Sequence, residues 1–172
     1  YRGKSRCCEK KISIRYPIIE FASAVGFVTL YLFSLSPEYY VLCTILLAIL
    51  VIDLEHQIIP DELTWIVLIL GLIANSQSLM TALFSGLFLS LLLLTLYLIT
   101  SGRGMGLGDV KLAIPLGLIL GLEKGVYWLI TSFILGGIFA TILLILKKAN
   151  LKTKIAFGPF LIVGFWIIIF LR

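Results

Sequence analysis

The sequence contains three aspartates, Asp53, Asp61 and Asp109, and each stands at the end of a short apolar segment. Two carboxylates held close together can share one proton, so that one serves as an acid and the other as a base, which is the chemistry of an aspartic protease. Helix capping is the simpler interpretation of Asp61 and Asp109, because both precede an apolar segment. Asp53 instead follows one, where the helix dipole disfavours a carboxylate, so capping does not explain it.

A glycine-rich segment leads into Asp109. Residues 101–109 read SGRGMGLGD, with glycine at every second position from 102 to 108. Glycine has no Cβ and tolerates positive φ, so this backbone can turn sharply and approach an extended peptide closely. Such a loop beside a carboxylate suits a protease that must unwind a helical substrate. The phosphate-loop pattern G-x-x-x-x-G-K-[ST] does not occur, which argues against nucleotide binding.

These residues belong to a strongly apolar chain. Of its 172 residues, 60% are hydrophobic and 13% are charged, and the mean hydropathy is +1.13. Roughly a quarter of the residues in a soluble domain are charged, so an ordinary soluble fold is excluded. The net charge of +5 is distributed between apolar segments and not gathered on one face, and we therefore expect no nucleic-acid partner.

Apolar segments separated by charges predict an all-α fold, a polytopic membrane bundle of about seven transmembrane helices. The segments are residues 17–36, 39–52, 63–75, 79–99, 110–122, 126–146 and 155–171. With the N-terminus inside, the basic residues fall on the cytoplasmic side except Lys124 and Arg172, as the positive-inside rule requires. The exterior loops would then be residues 35–38, 75–78 and 121–125. All three aspartates would lie at the cytoplasmic side.

The chain resembles the bacterial type IV prepilin peptidases, which are membrane aspartic proteases of the GxGD class. Residues 52–64, IDLEHQIIPDELT, resemble the first catalytic loop of that family, and residues 104–112, GMGLGDVKL, resemble the second. Shorter similarities occur at residues 12–20 and 157–159. The resemblance implies that Asp53 and Asp109 are catalytic. It places four further residues in the supporting active-site loops, namely Asp61, Gly106, Gly108 and Lys111.

The function that this resemblance implies is removal of the short basic leader from prepilins and related pseudopilins. The cut would follow a Gly and precede a hydrophobic helix that usually begins with Phe, at the cytoplasmic face of the bacterial cytoplasmic membrane. One of Asp53 and Asp109 would activate a water while the other, protonated, polarises the scissile carbonyl, and either can take either role. The expected partners are the prepilin or pseudopilin helix and the lipid bilayer.

No cofactor is expected for proteolysis. Many bacterial members of the family also methylate the new N-terminus with S-adenosylmethionine, so the resemblance implies a methyltransferase as a second activity. Family members commonly carry two CxxC pairs that can hold zinc. Here Cys8 aligns with the second pair while Ser5 takes the place of its partner, so we expect no zinc site and no other metal site.

We expect residues 1–16 to be the remnant of a basic cytoplasmic domain and residues 17–172 to form the transmembrane protease domain. The chain begins with Tyr1 and not Met, which suggests that upstream sequence is missing or that this domain is degenerate. Two further residues are candidates for a role near the site. Glu20 lies inside an apolar segment, where an acid indicates function, and His56 follows Asp53 by three residues.

The alternative function is a small proton-coupled membrane transporter that uses Asp53 and Asp109 as a proton relay. The sequence has no internal repeat, and its three aspartates are predicted to lie on one side of the membrane. Because a transporter needs access from both sides, the peptidase is the preferred interpretation.

Overall fold

The chain folds into α-helices. The computed structural model describes residues 13–102, 104–147 and 155–171, and these contain no strand. The elements are α1 Arg15–Leu32, α2 Glu38–His56, α3 Asp61–Ala74, a 3-10 turn Ser76–Ser78, α4 Leu79–Ile99, α5 Leu107–Ile145 and α6 Gly158–Phe170. The predicted all-α fold is therefore confirmed.

Three of these segments are long and apolar enough to cross a membrane, namely Glu38–His56, Ser76–Ile99 and Leu107–Ile145. This is fewer than the seven spans predicted. The 14 residues of α3 and the 13 residues of α6 are fewer than the roughly 20 that usually cross a membrane as a helix. Leu107–Ile145 contains two helical segments, one on each side of Gly121, where two spans were expected. Large apolar side chains such as Phe84, Leu91 and Ile130 are exposed, which suits contact with lipid.

The chain divides into two compact units, residues 1–47 and 48–172, and α2 runs through the boundary. Within the first unit, Gly26 of α1 packs against Cys43 of α2, where an added Cβ would lie 2.9 Å from the Sγ atom. The rings of Phe27 and Tyr40 also meet, with centroids 5.8 Å apart. A small residue thus allows α1 to approach the start of α2 closely.

In the second unit, α5 reverses its direction at Gly121. The φ of 76° and ψ of 177° at this residue are not helical, and glycine tolerates the positive φ. Gly117 and Gly125 both face the Cδ1 atom of Leu89 on α4, since an added Cβ at Gly117 would lie 2.9 Å from that atom and one at Gly125 closer still. Positions eight residues apart are about 12 Å apart along a straight helix. The two halves of α5 therefore fold back on each other.

Small residues and buried hydrogen bonds hold α4 and α6 against α5. A Cβ on Gly86 of α4 would overlap the carbonyl oxygen of Ile114, and the buried Ser90 hydroxyl donates to the Val110 carbonyl at 2.8 Å. The indole of Trp128 donates to the Leu161 carbonyl at 2.7 Å and so joins α5 to α6. Close packing and hydrogen bonds of this kind drive helix association in membranes.

Replacing Gly86 by alanine tests this packing. Because the new methyl group would overlap backbone atoms, we expect Gly86→Ala to lower the free energy of unfolding by about 1–3 kcal/mol. The matched control is Gly137→Ala, since a Cβ at Gly137 meets nothing within 4 Å. Unfolding in detergent should separate the two variants, and equal stabilities would contradict the close contact between α4 and α5.

Candidate active site

Asp53 and Asp109 lie side by side although they belong to different helices. Asp53 is in the last turn of α2 and Asp109 in the first turn of α5. Both side chains are buried, with 4% and 6% of their surface exposed, and both line the same two clefts. The sequence alone could not show that Asp53 and Asp109 are neighbours, and the structure brings them to the same two clefts.

The side chain of Asp109 is fixed by the start of its own helix. Helix α5 begins at Leu107, so Asp109 is its third residue and not the N-cap that the capping interpretation predicted. Its Oδ2 atom accepts a hydrogen bond from the backbone N–H of Gly106 at 3.2 Å. Its Oδ1 atom is buried and has no hydrogen-bond partner within the described residues. One carboxylate oxygen is thus held by the backbone, while the other has no hydrogen-bond partner among the described residues.

Asp53 packs against the first residue of α6. Helix α2 continues beyond Asp53 to His56, so Asp53 does not end the helix as expected. Its Oδ2 atom is buried without a hydrogen-bond partner in the described part of the chain, and it lies so close to Gly158 that a Cβ there would overlap it. Only glycine allows the backbone of α6 to approach the carboxylate in this way.

Ile59 joins the three segments that form the site. Its side chain is buried, and it packs between Gly108 and Gly158, where added Cβ atoms would lie 3.1 Å and 3.3 Å from it. Gly108 was predicted as a site residue, whereas Ile59 and Gly158 were not. The signals in the sequence were the pair of isoleucines at 58 and 59 and the family similarity at residues 157–159.

Asp61 forms an ion pair and not a helix cap. The N-cap of α3 is Pro60, which makes no side-chain capping bond. The Lys111 ammonium instead donates to both carboxylate oxygens of Asp61, at 2.8 Å and 2.9 Å. The pair links the start of α3 to the first turns of α5, two residues from Asp109. Because both side chains are more than half exposed, its energy is small and its main effect is positional.

Two clefts meet at the aspartates, with volumes of about 600 Å³ and 590 Å³. Four residues line both of them, namely Asp53, Gln57, Gly106 and Asp109. The first cleft, here called the acidic cleft, also contains Asp61, Glu62 and Lys111. The second, the aromatic cleft, is completed mainly by Phe133, Gly136, Gly137, Phe157 and Phe160. A peptide bond held at the aspartates would therefore have two different surroundings on its two sides.

The remaining candidates lie elsewhere. Glu20 is exposed on α1, in the first unit, and His56 is exposed at the end of α2 and lines neither cleft. No group of three or more His, Cys, Asp or Glu residues that could hold a metal occurs within the described ranges. Ser5 and Cys8, on which the zinc expectation rests, lie outside those ranges, so it stays a prediction.

The comparisons with known proteins identify one family. The chain matches the Type IV leader peptidase family over residues 40–141 and the bacterial Peptidase A24 N-terminal domain over residues 1–34. A protein of Stutzerimonas stutzeri named prepilin leader peptidase/N-methyltransferase is 37% identical over 178 residues, which cover 96% of this chain and 62% of the relative. A protein of the same name from Pseudomonas aeruginosa is 38% identical over 177 residues, covering 96% and 61%. The chain thus spans about three-fifths of these relatives, and no solved structure shows a significant match.

The ion pair between Asp61 and Lys111 can be measured by a double-mutant cycle. We expect Asp61→Asn, Lys111→Met and the double variant to give a coupling energy of about 0.2–1 kcal/mol in the free energy of unfolding, because both groups are largely hydrated. The coupling should decrease as salt is added. A coupling of several kcal/mol, or one independent of salt, would contradict the exposed geometry.

Proposed function

We propose that the chain, which belongs to the type IV leader peptidase family, is a membrane aspartic endopeptidase. Its substrates would be type IV prepilins and related pseudopilins, from which it removes the short basic leader. The observation that carries this proposal is the buried pair of Asp53 and Asp109 at the meeting point of two clefts. The transporter alternative has no support in the family or in the names of the relatives.

The chemistry follows from the two available carboxylate oxygens. Asp53 Oδ2 and Asp109 Oδ1 are the oxygens without a partner among the described residues. One carboxylate, ionised, takes a proton from the attacking water, and the other, protonated, donates a hydrogen bond to the scissile carbonyl. The resulting tetrahedral intermediate breaks its C–N bond as the leaving nitrogen receives the proton that the first carboxylate took from water, and the second carboxylate is left protonated as at the start.

The membrane arrangement that we propose has seven crossing segments, an N-terminus in the cytoplasm and the site at the cytoplasmic face of the bacterial inner membrane. The turn at Gly121 supports two crossings within α5. Loop residues 57–60 and 104–106 lie at the aspartates, whereas Asn75, Ser78 and residues 118–122 line a third cleft. Helix α4 separates these two groups, and its 21 residues extend about 30 Å. The clustering of basic residues supports the orientation.

A second activity, methylation of the new N-terminal amine with S-adenosylmethionine, is proposed from the names of the relatives. The cofactor would supply the methyl group. The resemblance associates this activity with the N-terminal cytoplasmic region, and residues 1–12 lie outside the described ranges. No described residue of the chain is assigned to the cofactor, and proteolysis at Asp53 and Asp109 does not require it.

Substitution of each catalytic candidate tests the peptidase. Asp53→Asn and Asp109→Asn should each lower the cleavage of a tagged prepilin by about 10²–10⁴-fold or more, because each removes one acid–base group. Glu123→Gln is the control, since Glu123 is exposed at the turn of α5. Mass spectrometry of the product gives the cleavage point and shows whether one methyl group has been added. Full cleavage by Asp53→Asn would show that this carboxylate is not catalytic.

The contact between Gly158 and Asp53 provides an independent test. In Gly158→Ala the new Cβ would overlap Asp53 Oδ2, and displacement of a catalytic group by about 1 Å can cost on the order of 10²-fold in rate. Gly164→Ala on the same helix is the matched control, because its Cβ would overlap the Ser132 hydroxyl instead. Both variants should unfold at lower temperature, but only Gly158→Ala should lose cleavage. Equal loss in both would mean that the strain in α6, and not the position of Asp53, limits activity.

A further inference from the structure

Aromatic rings form one wall of the aromatic cleft. The rings of Phe133 and Phe157 meet with centroids 5.0 Å apart, and Phe160 lies 6.3 Å from Phe157. Gly136 is packed against Phe157, where an added Cβ would lie 3.3 Å from the ring. Gly137 also lines the cleft, but a Cβ there would meet nothing within 4 Å. The aromatic rings therefore pack tightly against Gly136, whereas there is free space beside Gly137.

The two clefts differ in charge. Besides the shared aspartates, the acidic cleft contains Asp61, Glu62 and Lys111, so that acids predominate. The aromatic cleft contains no charged residue other than Asp53 and Asp109 among the described residues. A basic segment of a substrate is favoured in the first cleft and an apolar segment in the second.

We propose that the aromatic cleft binds the apolar side chain that directly follows the scissile bond, while the basic leader occupies the acidic cleft. This inference rests on the proposed function, which gives the substrate a basic segment before the bond and an apolar one after it. Because both clefts contain Asp53 and Asp109, a peptide bond held there continues into one cleft on each side. The difference in charge then fixes the direction of the chain.

A substitution at Gly137 tests this assignment, because Gly137 lines the cleft and a Cβ there meets no neighbouring atom within 4 Å. Two matched substrates are needed, one with Phe and one with Ala directly after the cleavage point. The unmodified protein should cleave the Phe substrate with a kcat/KM higher by on the order of 10–100-fold. Gly137→Leu should lose most of this preference, because the new side chain would compete with Phe for the cleft.

Ile138→Trp is the matched control for this substitution. Ile138 is the next residue of α5, is exposed and does not line the cleft, so the preference for Phe should remain. Retention of that preference in Gly137→Leu would overturn the assignment of the pocket. A cooperative unfolding transition in detergent shows that the variant is folded. Gly137→Ala should reduce the preference for Phe to a smaller extent.

A crosslinking experiment tests the same contact without catalysis. A substrate with benzoylphenylalanine directly after the cleavage point is irradiated with the Asp109→Asn protein, and the products are mapped by mass spectrometry. Attachment to residues 133–140 or 155–160 is expected. Attachment to residues 58–62, or to lipid and detergent alone, would overturn the inference even if cleavage depends on Asp53 and Asp109. A chain that neither cleaves nor crosslinks any prepilin would instead overturn the proposed function, and the inference with it.

Discussion

The arrangement of the site depends on backbone approaches that only glycine permits. Asp53 is carried by α2 and Asp109 by α5. The side chain of Ile59 packs against Gly108, next to Asp109, and against Gly158, which lies at Asp53. A Cβ at Gly158 would overlap Asp53 Oδ2, so a shift of α6 toward α2 would displace the carboxylate.

A membrane imposes a second constraint, since backbone groups in lipid must be satisfied within the protein. Loops and helix ends are therefore the places where backbone N–H groups can be directed at side chains. The hydrogen bond from Gly106 to Asp109 is of this kind, since it satisfies a free N–H at a helix start and fixes a carboxylate at the same time. The glycine-rich segment thus positions an acid and also lines the aromatic cleft.

The sequence predicted a long uncharged segment correctly, and it predicted less well the end of a segment at which charges begin. Residues 79–99 were expected as a helix and form α4 with the same bounds, because no charge interrupts them. The end of α2 was misplaced, since the helix continues through the polar residues up to His56. The cap predicted at Asp61 failed because its carboxylate pairs with Lys111, fifty residues away, and no local pattern reveals such a partner. The roles of Ile59 and Gly158 were hidden for the same reason.

The reversal at Gly121 explains how the two halves of α5 serve two parts of the site. Asp109 lies in the first turn of α5, and Gly137 lies far along its second half. In a straight helix these two residues would be about 42 Å apart, yet both line the aromatic cleft. No neighbouring atom lies within 4 Å of the place where a Cβ at Gly121 would be. Glycine is therefore favoured here because of its φ of 76° and not because of close packing. A single backbone conformation therefore brings the aromatic wall to the carboxylates, and the cleft exists because the helix does not continue straight.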